Sequence, residues 1–240
     1  MTARAGFPAA VGAALLFVVA ACVVPRASVG PGGRLEVLGP VPGFLPLPAD
    51  WVIEGPEGAA AERLSVVEKA GVRALRVVAG AEGFVIARRV RAGLLATPYL
   101  SWSWNMEARG TGVHPVRLLV GFHGGDPESP SWGAQPFVWA GSALPPHDRT
   151  LTLAWGHSAR HQGTLTRPRA RGRAPSRYTV RGGAGNAGAW WSETVDLAEL
   201  YARAWPGDDR RRVRVMFIGI AAAASRPAAT AHLSRIVLSR

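Results

Sequence analysis

The stretch PYLSWSWNMEA, residues 98–108, decides how this chain is read. Leu100, Trp102, Trp104 and Met106 fall on one side of an extended backbone, and Ser101, Ser103 and Asn105 on the other. A period of two marks a half-buried strand, because successive side chains point to opposite faces of a sheet. Trp102 and Trp104 share their side with Leu100 and Met106, so they are expected in a core.

Segments on either side repeat the pattern. VRLLVGFHG (116–124) sets Val116, Leu118, Val120 and Phe122 against Arg117, Leu119 and His123. RLSVVEK (63–69) and ALRVVAG (74–80) flank Ala70-Gly71 and predict a hairpin. FVIARRV, PFVWAG, TLTLAWG, SRYTVRG and AWWSETV read as further strands, and AHLSRIVLSR as the last. RVRVMFIGIA (212–221) is apolar on both faces in its middle, which predicts a central strand covered on both sides. One short amphipathic helix is expected near 196–205. Asp196 can cap it, Glu199 follows three residues later, and Leu197, Leu200, Tyr201 and Ala204 form one stripe before Pro206 and Gly207. Many short strands and one helix imply an all-β fold, a β-sandwich or jelly roll.

The chain starts differently. Arg4 precedes the uncharged run Ala9–Ala21, and Val19-Ala20-Ala21-Cys22 is similar to the lipobox of bacterial lipoproteins. Residues 1–21 are read as a lipoprotein-type signal peptide and Cys22 as the site of lipid attachment. Several acyl chains at Cys22 would hold the protein to a membrane. Cleavage near Ala21 without a lipid, and an uncleaved anchor over Phe7–Val24, are the alternatives. Cys22 is the single cysteine of 240 residues, so export brings no internal disulfide. Residues 22–48, rich in Pro and Gly, read as a tether, with Leu35–Leu38 placed on a sheet edge. The rest, 49–240, reads as a single sandwich domain. The expected location is the cell envelope.

The net charge is +12, carried by arginine except for Lys69. Residues 149–192 contain eight Arg and no Asp or Glu, and TRPRARGRAPSR (166–177) concentrates them in an Arg-rich loop spanning about 160–177. Like-charge runs are most simply solvated loops. An exported location argues against nucleic acid as a partner and leaves an acidic polymer or a membrane surface.

Gly183–Gly188 fits G-x-G-x-x-G, but a strand-like segment follows it where a dinucleotide site needs a helix. His157 and His161 have ligand spacing without a cysteine or a third ligand nearby, so neither metal nor cofactor is expected. P-loop and nucleophile-elbow motifs are absent. Nine tryptophans are the strongest chemical signal. Indole faces stack on sugar rings and the ring N–H bonds hydroxyls. Trp132 lies in a loop, and Trp190 and Trp191 must face opposite ways in a strand.

Several segments together resemble a bacterial family of exported proteins known as domain of unknown function 3047. The resemblance rests on Ser101-Trp102-Ser103-Trp104, on Arg117 in HPVRLLVGF, on Trp155 in LTLAWG, and on Trp190, Glu193 and Tyr201 in RYTVRGGAGNAGAWWSETVDLAELYARAW. It covers about Leu47 to the C-terminus. It implies a galactose-binding-like β-sandwich and no established activity. The chain departs from the pattern at His114 and Pro115, where acids precede the matching arginine, and in AAAASRPAAT (221–230).

These readings lead to a non-catalytic module that binds a carbohydrate or another envelope polymer through Arg117, Trp132, Trp190 and Glu193. Arginine supplies fixed donors, tryptophan a stacking face and glutamate acceptors. Alternatively, Arg117 and Glu193 pair with each other across a sheet. An envelope glycan hydrolase or lyase is the rival; it needs two carboxylates facing each other in a cleft, drawn from Glu107, Asp126, Glu128, Glu193 and Asp196. A protein-docking scaffold is the third reading.

Overall fold

The computed structural model describes residues 25–39, 44–56, 58–109, 112–127, 143–168 and 175–240. Cys22, Trp132 and the expected strand PFVWAG lie outside the described residues, as does the middle of the Arg-rich loop.

Among the described residues thirteen strands form two sheets. They are β1 (Arg34–Leu38), β2 (Trp51–Glu54), β3 (Leu64–Lys69), β4 (Val72–Ala79), β5 (Phe84–Gly93), β6 (Tyr99–Met106) and β7 (Val116–His123), then β8 (Arg149–Gly156), β9 (Leu165–Thr166), β10 (Ser176–Gly182), β11 (Trp190–Asp196), β12 (Arg214–Ala222) and β13 (Ala229–Ser239). The six-stranded sheet runs β11-β6-β13-β4-β3, with β1 also on β13. The seven-stranded sheet runs β2-β5-β12-β7-β8-β10-β9. Strand β10 lies parallel to β8, while the other ladders are antiparallel.

The inward phase of β6 behaves as its alternation predicts. Leu100, Trp102, Trp104 and Met106 are buried with Val116, Leu118, Val120 and Phe122 of β7, Leu75 and Val77 of β4, and Ile218 and Ile220 of β12. The two indoles meet edge to face at 5.2 Å, and Trp104 meets Trp155 of β8 at 5.7 Å, geometries that suit aromatic quadrupoles. The architecture is a β-sandwich.

The hairpin of β3 and β4 turns on Ala70 and Gly71, both with positive φ, as a two-residue type I′ connection requires. Strand β12 sits between β5 and β7 and is covered on both faces. A bulge between Val215 and Phe217 places Phe217 on the outward face, in a second cluster with Val52, Ala87 and Met216. Its ring lies against Gly121, where any Cβ would collide with it. Gly121 is therefore a close-approach glycine.

Helix α1 (Leu197–Ala204) begins at Asp196, whose carboxylate accepts the Glu199 N–H at 2.9 Å. Leu197, Leu200, Tyr201 and Ala204 are buried, the stripe expected from the sequence. Among the described residues no helix is long and apolar enough to cross a membrane.

Part of the Pro/Gly-rich stretch belongs to the sandwich. Strand β1 pairs with β13, and Ala27 forms an isolated parallel bridge to Val90, its N–H donating to the Arg89 carbonyl at 2.9 Å. Phe44 packs on Trp51 at 4.9 Å.

Candidate functional site

Because β6 turns its apolar phase inward, Tyr99, Ser101 and Ser103 face outward and are at least partly exposed, while Asn105 on the same side is buried and donates to the Gly188 carbonyl at 2.8 Å. Antiparallel β11 sets Trp190 opposite Asn105, Ser192 opposite Ser103, Thr194 opposite Ser101 and Asp196 opposite Tyr99. Opposed residues share a face. The outcome is a strip of hydroxyls: Ser101 with Thr194 at 2.9 Å and Ser103 with Ser192 at 3.0 Å, with Ser234 of β13 beside Ser103. Each pair uses one hydroxyl hydrogen and one acceptor site between its members. One O–H and several lone pairs per pair remain to face outward. Tyr99, 41% exposed, closes one end of the strip, and half-buried Trp190 closes the other. Six residue steps along β6 make the strip roughly 20 Å long.

Trp190 is held in place from across the sheet. Its Nε1 donates to the Lys69 carbonyl at 2.9 Å. Lys69 ends β3, at the edge opposite β11, with β6, β13 and β4 between them. The hairpin end must therefore bend over the outward face to make that bond. Lys69 Nζ also reaches Glu107 Oε1 at 3.4 Å. The neighbouring His232 is buried, and its pKa is lowered first by burial and then by the Lys69 charge.

Glu193 faces the other way. It opposes Trp102, on the inward face at the sandwich's edge. Its Oε1 accepts from Trp104 Nε1 at 3.2 Å and from Arg181 Nε at 2.6 Å, and its Oε2 from Arg181 Nη2 at 3.4 Å. Arg181 belongs to β10 of the other sheet, and its guanidinium stacks 3.7 Å above the Trp191 ring. Glu193 thus clamps the two sheets together. Trp190 and Trp191 do face opposite ways, and the inward one is capped by Arg181. The alternative reading, a pairing of Arg117 with Glu193, does not occur. Arg117 sits on β7, on the outward face of the seven-stranded sheet, and Arg181 is the partner of Glu193. Arg117, Trp190 and Glu193 therefore occupy three separate places.

At one end of the sandwich a small open cleft of about 40 Å³ is lined by Glu107, Arg109, His114, Trp155, His157 and the Gly183 loop. His114 Nδ1 accepts the Val116 N–H at 3.1 Å, so its proton sits on Nε2. Burial lowers its pKa to about 4, and the nearby Arg109 charge acts in the same direction. Glu107 is the one carboxylate among the lining residues, where a glycosidase needs a pair. The glycine motif forms a 3₁₀ turn, Ala184–Asn186, leading into β11. It lacks the helix that would cradle a pyrophosphate. The rings of His157 and His161 meet tilted, 54° between planes and 4.5 Å between centroids, and among the described residues no cluster of three or more metal-ligating side chains occurs.

Tyr201 is structural. Its hydroxyl donates to Asp208 Oδ2 at 2.6 Å, and Arg149 grips the same carboxylate with two bonds of 3.0 Å and reaches Asp126 at 3.0 Å. Burial, then the Asp208 hydrogen bond, pushes the phenol pKa well above its ordinary value.

The sequence reading singled out Trp190 but passed over Tyr99 and the hydroxyls between them. Their signal was present in the same alternation. Arg181 had no local signal, because its partner lies on the other sheet.

No curated protein matches the chain. Among solved structures, the family 11 carbohydrate-binding module of a cellulosomal cellulase of Clostridium thermocellum is 9% identical, with 88% of this chain and 96% of the module covered and a TM-score of 0.41. The family 12 xyloglucanase from Bacillus licheniformis is 10% identical, with coverages of 90% and 100% and a TM-score of 0.40. The K2 cleaved adhesin domain of Lys-gingipain is 10% identical, with coverages of 86% and 99% and a TM-score of 0.40. Such distant likenesses say nothing about ligand or activity. Residues 50–237 match the family described as Protein of unknown function (DUF3047), and the chain belongs to that family.

Proposed function

We propose that this protein is an exported, lipid-anchored binding module whose β6–β11 face holds a neutral stretch of an envelope polysaccharide. The reading rests on one observation, the hydroxyl strip bounded by Tyr99 and Trp190. Sugars offer hydroxyls in rows and apolar ring faces. Ser and Thr side chains exchange hydrogen bonds with the first, and aromatic rings stack on the second. A strip of roughly 20 Å accommodates several sugar units in one extended chain. Trp190 acts by its ring face, since its N–H is already bonded to Lys69. Glu193 supports the site by fixing β11 against the opposite sheet.

The test is co-sedimentation of the protein with peptidoglycan and a panel of insoluble polysaccharides at low and high salt. Binding that persists at high salt is expected, with Tyr99→Ala and Trp190→Ala each weakening it about tenfold, the equivalent of one aromatic contact. Binding that disappears with salt and ignores both substitutions would reduce the interaction to the net charge and sink this assignment.

Anchoring at Cys22 belongs to the same proposal. Residues 23–26 separate Cys22 from Ala27, which is bonded to β5, so the sandwich would sit within about 20 Å of the lipid attachment point. Cys22→Ser is expected to move the exported protein from the detergent phase to the aqueous phase on phase partitioning. Retention in the detergent phase would point to an uncleaved apolar segment instead.

A further inference from the structure

Arg117 and Arg177 lie close together on the outward face of the seven-stranded sheet, and among the described residues neither has a counter-charge. Leu118 of β7 pairs with Leu153 of β8, which sets Arg117 beside Ala154. Arg177 of β10 pairs with Thr152 of β8. Arg117, Thr152, Ala154, Arg177 and Thr179 are therefore on one face, since Leu118, Leu151 and Leu153 fill the core between them. The two arginines flank β8 at roughly 10 Å between strands and reach toward each other over small residues. Ala154, Thr152 and Ala221 leave a low floor.

The Nε atoms of Arg117 and Arg177 are both buried and have no hydrogen-bond partner. Among the described residues neither guanidinium is in an ion pair, whereas the half-buried Arg88, Arg149 and Arg181 each hold a carboxylate. Burial lowers the Arg117 pKa, and the positive charge of Arg177 lowers it further. A guanidinium stays charged in such surroundings. Two like charges held together, with donors turned inward and unfilled, cost stability unless an anion joins them.

We propose that Arg117 and Arg177 form a binding site for an oxyanion, a carboxylate, sulfate or phosphate group, on the face opposite the hydroxyl strip. The planar forks of two guanidiniums match the paired oxygens of such a group, which accepts several charge-assisted hydrogen bonds at once. Thr152 and Thr179, both buried, carry hydroxyls on the same face. This site is independent of the polysaccharide reading, and each stands if the other fails.

The experiment measures thermal unfolding of the full chain at fixed ionic strength, with chloride replaced by sulfate, phosphate or acetate, and separately with polygalacturonate or dextran sulfate added. At ten times its dissociation constant the recognised anion raises Tm by about 3–6 °C. The rise disappears in Arg117→Gln and in Arg177→Gln and persists in Arg212→Gln, which removes an exposed charge elsewhere. A response to free ions identifies a small-molecule source, and a response to the polymers alone identifies a polymer-borne group; both support the site. Equal Tm in all anions, or equal loss in all three variants, overturns it. In chloride alone Arg117→Gln is expected to melt no lower than the parent, because it removes a repulsion. A clear fall would make Arg117 a structural residue and would also overturn the proposal.

Discussion

Acidification from pH 7 to pH 4 is expected to cost the fold about 3 kcal/mol through His114. The folded pKa is about 4 against an ordinary 6.5, with burial as the main cause. The sign follows from which state takes up the proton. As pH falls below 6.5, the unfolded chain binds it while the folded chain does not, so unfolding gains free energy until the folded pKa is passed. Stability is therefore complete above pH 6.5 and lost as the pH falls toward 4. The geometry gives the reason. His114 Nδ1 is the acceptor for the Val116 N–H, and a proton there would turn two donors against each other. His232, lowered in the same direction, adds to the trend. Urea midpoints measured from pH 7 to pH 4 should slope in the parent, and slope less in His114→Gln, whose side-chain oxygen can still accept from Val116. Equal slopes in parent and variant would remove His114 from the account.

Glu193→Ala is expected to destabilise the fold by about 3–5 kcal/mol, the range for breaking a buried ion pair by removing one partner. Glu193 is 8% exposed and its Oε1 serves both Trp104 and Arg181. After the substitution the Arg181 guanidinium stays over Trp191 without an anion, and the indole N–H loses its acceptor. Replacing both charged residues, as Arg181→Met with Glu193→Leu, should recover much of the loss, since a packed apolar pair can match a buried ion pair. Urea unfolding of the two single variants and the double variant gives the coupling directly. A loss under 1 kcal/mol in Glu193→Ala would mean that the two sheets do not depend on this clamp.

Much of this architecture is visible in short sequence patterns because those patterns follow from local geometry. The alternation over Tyr99–Met106 identifies the strand, its buried face and the hydroxyls opposite. Ala70-Gly71 marks the hairpin because the two-residue turn needs positive φ. Asp196 and the Leu197–Ala204 stripe mark the helix for equally local reasons. Features that depend on strand order are not visible in this way. Arg117 and Arg177 become neighbours because β8 lies between β7 and β10 and because β10 runs parallel to it. Neither fact has a sequence period. Glu193 reads equally well as a ligand group or as half of an ion pair, and its partner arrives from the opposite sheet. The bulge beside Met216 leaves the sequence of β12 looking uniformly apolar, while its backbone sends Phe217 out over Gly121.

The position of β13 also sets a timetable for folding. Strand β13, Ala229–Ser239, is the shared neighbour of β1, β4 and β6. Until β13 is in place, the strands that will flank it have no common partner, and β1 must wait for a strand roughly 200 residues further along the chain. The six-stranded sheet can thus close only once residues 229–239 are in place. Removing Ala229–Ser239 is therefore expected to be far more damaging than removing an equal length of a sheet-edge strand, because three strands lose their partner at once.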